Sequence, residues 1–176
     1  MGIPKPLIKD QAEAGVQNIY DEMHSAIGKM PNIFAVMAHF PGALKRFIPF
    51  YTAVMTKGKV PVKLKELAYL KTASINACQY CLRAHIASAK QAGITDRQID
   101  DLRFYQTSDA YDEKERATVR FADLVTRGAA AIDASVLTWL GAYYSDAEIV
   151  ELVMVIGVAN LVNRFNDTLQ IQPDLG

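Results

Sequence analysis

The chain has 176 residues, 51% apolar and 22% charged, with 19 Lys and Arg balanced by 19 Asp and Glu. One domain spanning residues 1–176 is expected, large enough to bury a core without disulfide staples and too apolar to be disordered. The zero net charge argues against nucleic acid or an anionic membrane as partner, since both attract a basic excess, and two cysteines are too few for a secreted disulfide scaffold.

The opening MGIPKPLIKDQAEAG lacks the apolar stretch of a signal peptide, and Pro6 stands where N-myristoylation needs Ser or Thr. The most apolar run, residues 149–162, is interrupted by Glu151 and too short to span a bilayer. A soluble, reduced, cytoplasmic protein is expected.

The apolar periodicity is helical almost throughout. A first helix over residues 12–28 places Val16, Ile19, Tyr20, Met23 and Ile27 on one face and stops at Gly28. Pro31 and Pro41 open the next segments, 31–40 and 43–56, and Pro49 is expected to kink or break the second of them. Residues 62–75 read as a helix. Asn76 reads as the N-cap of the next, 77–91, which Gly93 closes. Thr95 with Gln98 forms a capping box opening 96–105, and Ser108 or Asp109 caps 111–127. Asp133 caps 134–144, and Ser145 with Glu148 opens a last helix to about residue 169. No Val/Ile/Thr-rich alternating run predicts a strand. The expectation is an all-α helical bundle of about seven to eight helices. Apolar residues cover every face of the last helix, which predicts burial all round, through a subunit interface or as a central core helix.

The chemistry sits in the string CQYCLRAH. Cys78, Cys81 and His85, spaced three and four apart, share one stripe of a helix. Two thiols so placed can form and break a disulfide, and a thiolate at Cys78 is favoured by the free N–H groups and dipole of the first turn. His85, one turn below Cys81, can exchange its proton. The pair also reads as half of a zinc site, but His24 and His39 lie in distant segments without a paired motif. It reads, too, as two small buried hydrophobes. Glu66 lies twelve residues before Cys78. If the chain turns tightly at Asn76, antiparallel packing brings Glu66 beside His85, where a carboxylate orients the imidazole; otherwise it is a solvated residue among Lys63, Lys65 and Lys71. The polar stretch Asn160, Asn163, Arg164, Asn166 and Asp167 either lines the pocket or an interface, or is the helix end emerging into solvent, the reading preferred here.

The string ELAYLKTASINACQYCLRAH, with its small filler residues Ala68, Ala73, Ala77 and Ala84 and the AKQAG that follows, resembles the core signature of the AhpD-like alkylhydroperoxidase branch of the carboxymuconolactone decarboxylase superfamily. The resemblance is strongest over residues 64–93. It implies an all-α fold, a homo-oligomer (trimer or hexamer), and a thiol peroxidase or disulfide oxidoreductase in antioxidant defence that needs no metal or other cofactor. It implies attack on a small hydroperoxide by Cys81, resolution by Cys78, a proton relay through Glu66 and His85, and reduction by an external thiol or dithiol. Tyr80 stands where studied members carry a second histidine. A phenol donates a hydrogen bond but is a poor proton acceptor at neutral pH. The alternative is a non-redox lyase of the decarboxylase type using His85 and Glu66, with the cysteines passive.

Overall fold

The computed structural model describes residues 2–175, which form nine α-helices and no strand. These are α1 (Gln17–Ile27), α2 (Asn32–Met37), α3 (Pro41–Thr56), α4 (Val62–Ile75), α5 (Gln79–Gln91), α6 (Asp96–Asp100), α7 (Glu113–Gly128), α8 (Ala134–Leu140) and α9 (Asp146–Thr168). The class is the expected one. The helix number is above the expected seven to eight because each of the segments read from the sequence, the short α2 and α6 included, forms a helix. None of the helices is long and apolar enough to cross a membrane.

The centre of the molecule is α4, packed by α5, α7 and α9 along its length and by α3 as well. Residues 64–73 are buried without interruption. Four of them are polar or charged in ways that demand partners, because an unpaired charge in this setting costs several kcal/mol. Lys65 reaches Glu151 at 3.4 Å and donates to the carbonyl of Val54 at 2.7 Å. Lys71 pairs with Asp123 at 3.1 Å and lies over the Tyr105 ring. Thr72 returns its hydroxyl to the Ala68 carbonyl, and Glu66 turns to α5. Between these groups Leu67, Ala68, Leu70 and Ala73 carry the apolar packing. Truncating Leu67 to Ala would cost about 2–5 kcal/mol, the range for a buried leucine.

Of the two ways the last helix could be buried all round, the central core position is not the one it takes: Val150, Val153, Met154 and Leu161 are exposed in the single chain, while Leu152, Val155, Ile156, Ala159 and Val162 face the core. The central core helix is α4 instead. Its lysines and glutamate disguise it in the sequence, because their aliphatic stems bury while their heads find fixed partners. A second apolar cluster around Val16, Tyr20, Met37 and Leu44 joins the main core through Phe34, Phe47 and Phe165.

Several boundaries move. The first helix starts later, at Gln17, after a 3-10 turn, and ends at Gly28 with φ +80°. Pro49 does not break α3. It is exposed, so the carbonyl it leaves without a donor lies on the solvent side. Asp112, not Ser108 or Asp109, caps α7, with Glu115 completing the box. The boxes at Thr95/Gln98 and Ser145/Glu148 and the cap at Asp133 form at the expected residues, whereas α6 and α8 end earlier than expected, at Asp100 and Leu140.

The turn between α4 and α5 matters most. Asn76 is not an N-cap; it ends α4. Ala77 adopts φ +57°, its N–H donates to Ser74, and the N–H of Cys78 donates to Ala73. This paired pattern is a Schellman stop, usually built on glycine because a Cβ is strained in the left-handed region. Cys78 closes the stop and is at once the N-cap residue of α5. Ala77 is exposed, so its methyl adds strain without packing. Ala77→Gly is expected to raise the unfolding free energy by about 0.5–1 kcal/mol, and Ala77→Val to lower it by more, both measured by urea denaturation.

Candidate active site

The tight turn sends α5 back along α4, so Glu66 and His85 meet. The Nδ1–H of His85 donates to Glu66 Oε2 at 2.8 Å, and the Ser88 hydroxyl donates to Glu66 Oε1 at 3.1 Å. With Nδ1 carrying the proton, Nε2 of a neutral imidazole is an acceptor. Its partner is the hydroxyl of Tyr51 on α3, at 2.8 Å. Tyr69 stacks on the imidazole, with ring centroids 3.6 Å apart and planes at 16°. His85 is therefore held on both nitrogens and one face. Burial and the negative charge of Glu66 push the Tyr51 phenol well above its ordinary range. Tyr69 is pushed up too, by burial and then by the charges of Tyr51 and Cys81. Both hydroxyls are therefore donors at neutral pH.

Cys78 and Cys81 are free thiols, both buried, and Cys78 Sγ donates to Cys81 Sγ across 2.9 Å. Their acidities diverge. The Cys81 thiol is drawn down to about 7, first by the Cys78 S–H and then by the Asn166 amide with the Asn163 amide nearby, against the opposing effect of burial. Cys78 is pushed up, because its proton is the one held in that hydrogen bond and because it is buried. This reverses the expectation that the helix start favours a thiolate at Cys78. A helix dipole is worth about 0.3–1 kcal/mol, whereas hydrogen bonds to a charged group contribute about 1.5–3 kcal/mol each. Cys81 receives the Cys78 S–H and the Asn166 amide, whereas Cys78 is favoured only by the backbone N–H of Cys81.

Beside the thiols lies a cavity of about 280 Å³. Ile33, Phe34, Phe47, Met55 and Val162 give it apolar walls, and Cys81, His85, Glu66, Tyr51, Tyr69 and Tyr80 line it as well. Cys78 does not line it. Tyr80 is no relay between the thiols. Its hydroxyl donates to Asp174 Oδ1 at 2.8 Å, and Asp174 Oδ2 accepts from the backbone N–H of Asn32 at 3.1 Å. Tyr80 thus fastens the C-terminal segment to the start of α2, and neighbouring Leu175 adds to the cavity wall. Burial and Asp174 push the Tyr80 phenol upward as well.

Two contributions were not legible as site residues. Tyr51 lies 34 residues before His85 on a helix with no motif of its own. Asn163 and Asn166, read as emerging into solvent, are instead fully buried, and the Asn166 Nδ2 donates to Cys81 Sγ at 3.3 Å. The available signal was the run of asparagines three residues apart on an otherwise apolar helix. Among the described residues, no group of three or more His, Cys, Asp and Glu converges as a metal ion would require.

Residues 41–124, which hold Glu66, Cys78, Cys81 and His85, match the model of the carboxymuconolactone decarboxylase family. YnjA of Escherichia coli K12, an uncharacterized protein, is 24% identical over 156 residues, covering 86% of this chain and 80% of YnjA. The fold is shared with an uncharacterized peroxidase-related protein of Silicibacter sp. TM1040, at TM-score 0.85 and 24% identity over 97% of this chain and 92% of that one. It is shared with a peroxidase-related protein of Ralstonia eutropha JMP134 described as an alkylhydroperoxidase AhpD core, at TM-score 0.85 and 21% identity over 99% and 91%. It is shared also with the debrominase Bmp8, seen in complex with 2,3,4-tribromopyrrole, at TM-score 0.82 and 23% identity over 99% and 92%. Residues 41–124 thus match the carboxymuconolactone decarboxylase family, and the chain has the fold of the AhpD-like, peroxidase-related proteins.

Proposed function

We propose that this protein is a thiol-dependent peroxidase acting on a small hydroperoxide. The observation that carries the reading is the asymmetry of the two thiols. Cys81 lines the cavity and titrates near neutral pH, while Cys78 lies outside the cavity, 2.9 Å behind it. The first is placed to meet a substrate and the second to resolve the product. An ordinary thiol is only a few per cent ionised at neutral pH, so a pKa near 7 raises the reactive fraction about tenfold or more.

In the first step the Cys81 thiolate attacks the terminal oxygen of R–O–O–H. The O–O bond breaks, a proton reaches the departing oxygen, and the products are Cys81–S–O–H and R–O–H. The sulfur is oxidised by two electrons and the peroxide reduced by two. The Cys78 thiol then displaces water from Cys81 to give the Cys78–Cys81 disulfide. An external thiol or dithiol reductant returns the two electrons. The proton comes from the Cys81 thiol itself: on ionisation it passes to Nε2 of His85, whose imidazole Glu66 holds, and on attack Nε2 returns it to Tyr51 as the Tyr51 hydroxyl hands its own proton to the leaving oxygen. The exposed stripe of α9 serves in this reading as the contact between copies of a homo-oligomer, whose formation light scattering measures.

A second substrate class on the same thiols is favoured by one observation. The cavity is apolar, and the similarly folded Bmp8 is known in complex with a bromopyrrole. Two thiols reducing an aryl bromide would give the arene, a disulfide, a proton and bromide. Release of bromide from tribromopyrrole by the reduced protein tests it.

Reduced protein mixed with peroxide is expected to lose two thiols per chain. Cys81→Ser should abolish peroxide consumption, and Cys78→Ser should trap a sulfenic acid detectable by dimedone labelling; a double Cys→Ser variant active on a lactone acid would point to the lyase chemistry instead. Tyr51→Phe should slow peroxide consumption about a hundredfold, followed by stopped-flow. The rate of Cys81 oxidation should rise about tenfold per pH unit up to a pH of about 7 and level off above it, because only the thiolate reacts.

A further inference from the structure

The buried asparagines at the end of α9 have no part in the relay just described, yet they surround the reacting sulfur. Asn163 and Asn166 are almost completely excluded from solvent. Asn166 Nδ2 donates to Cys81 Sγ at 3.3 Å. Asn163 is oriented from outside: the Asn76 amide, at the end of α4, donates to Asn163 Oδ1 at 2.9 Å and to Asn160 Oδ1 at 3.0 Å. With its oxygen so engaged, Asn163 presents Nδ2 as its free group. That Nδ2 and the Asn166 Oδ1 are buried without a hydrogen-bond partner.

A buried amide left unpartnered is costly, and two such atoms next to one thiol pair call for an explanation in the chemistry there. One is a donor and the other an acceptor. A thiolate accepts a hydrogen bond. A sulfenic acid supplies an oxygen that accepts and a hydrogen that donates. The two unpartnered atoms therefore match what the Cys81 sulfur becomes during the cycle and not what it is in the resting thiol.

We propose that Asn166 and Asn163 form an anion hole for the Cys81 sulfur, with Asn166 touching the reacting atom and Asn76 holding Asn163 in place. The hole favours the thiolate before attack and binds the sulfenic oxygen after it, as preorganised dipoles aimed at developing charge do elsewhere. Its catalytic meaning rests on the peroxidase reading. Its effect on sulfur acidity does not, and the test uses acidity.

The experiment is the pH dependence of Cys81 alkylation by iodoacetamide on the reduced full-length protein, followed by mass spectrometry of the Cys81 peptide. Asn166→Ala is expected to move the midpoint upward by about one pH unit, which slows alkylation roughly tenfold at pH 6 and leaves the high-pH plateau unchanged. Asn166→Asp, nearly the same size but with a carboxylate in place of the donor, should move it further. Asn76→Ala, at a partly exposed residue, should move it in the same direction by less, since Asn163 is then free to turn. This third variant keeps the test available if the buried substitutions do not fold. A midpoint unchanged in every variant that retains the wild-type circular dichroism and thermal transition overturns the proposal, because a merely structural asparagine alters stability and not the titration. If the midpoint moves but wild-type protein leaves peroxide intact, the anion hole stands and the peroxidase reading falls.

Discussion

Everything at the site depends on burying α4 with its charges in place. A helix with ten successive residues out of solvent leaves its polar side chains no recourse to water, so each must be met by a particular neighbour. For Glu66 those neighbours are His85 and Ser88, both on α5. The pairing of Glu66 with His85 follows from the requirement that a buried carboxylate be satisfied, and it leaves the imidazole with a defined tautomer and one free nitrogen. Tyr51 takes that nitrogen. The site is thus an extension of the solution to a packing problem. Removing the carboxylate would both unsettle the imidazole and leave a hole beside fully packed leucines.

The turn between α4 and α5 determines where the sulfurs go. A Schellman stop on Ala77 places Cys78 in two roles, the end of one helix cap and the start of the next helix. Cys81 follows one turn later, facing both the cavity and α9. The hydrogen-bond donors then converge on Cys81: the Cys78 thiol on one side and Asn166 on the other. A few such bonds outweigh the diffuse field of a helix end, which is why the second cysteine is the more acidic although the first is nearer the N-terminus.

The last helix has two unlike faces. Inside, its C-terminal half places asparagines against the thiols. Outside, a row of aliphatic residues remains uncovered in the single chain. Read as a string, these two features merge into one apolar helix with a polar end, and the polar end looks like solvent-facing sequence. Burial inverts that reading. The exposed members include Val150, Val153, Met154 and Leu161, and the fully buried ones include Asn163 and Asn166.

By itself the sequence determined the helical class, most of the caps and the residues Glu66, Cys78, Cys81 and His85. These signals are local. A cap needs three or four residues, and a thiol pair followed by histidine needs one stripe of one helix. Even the Glu66–His85 contact was legible, because a tight turn between adjacent helices makes it nearly a local fact. What crosses the chain was left to the tertiary structure: Tyr51 on His85, Asn166 on Cys81, Asp174 on Tyr80, and α4 rather than α9 as the central helix. Hydropathy could not reveal that core helix, since lysine and glutamate score as surface until their partners are seen. Nor could any spacing rule assign the thiolate to Cys81, because that depends on which thiol donates within the pair and on an Asn166 amide contributed from 85 residues away.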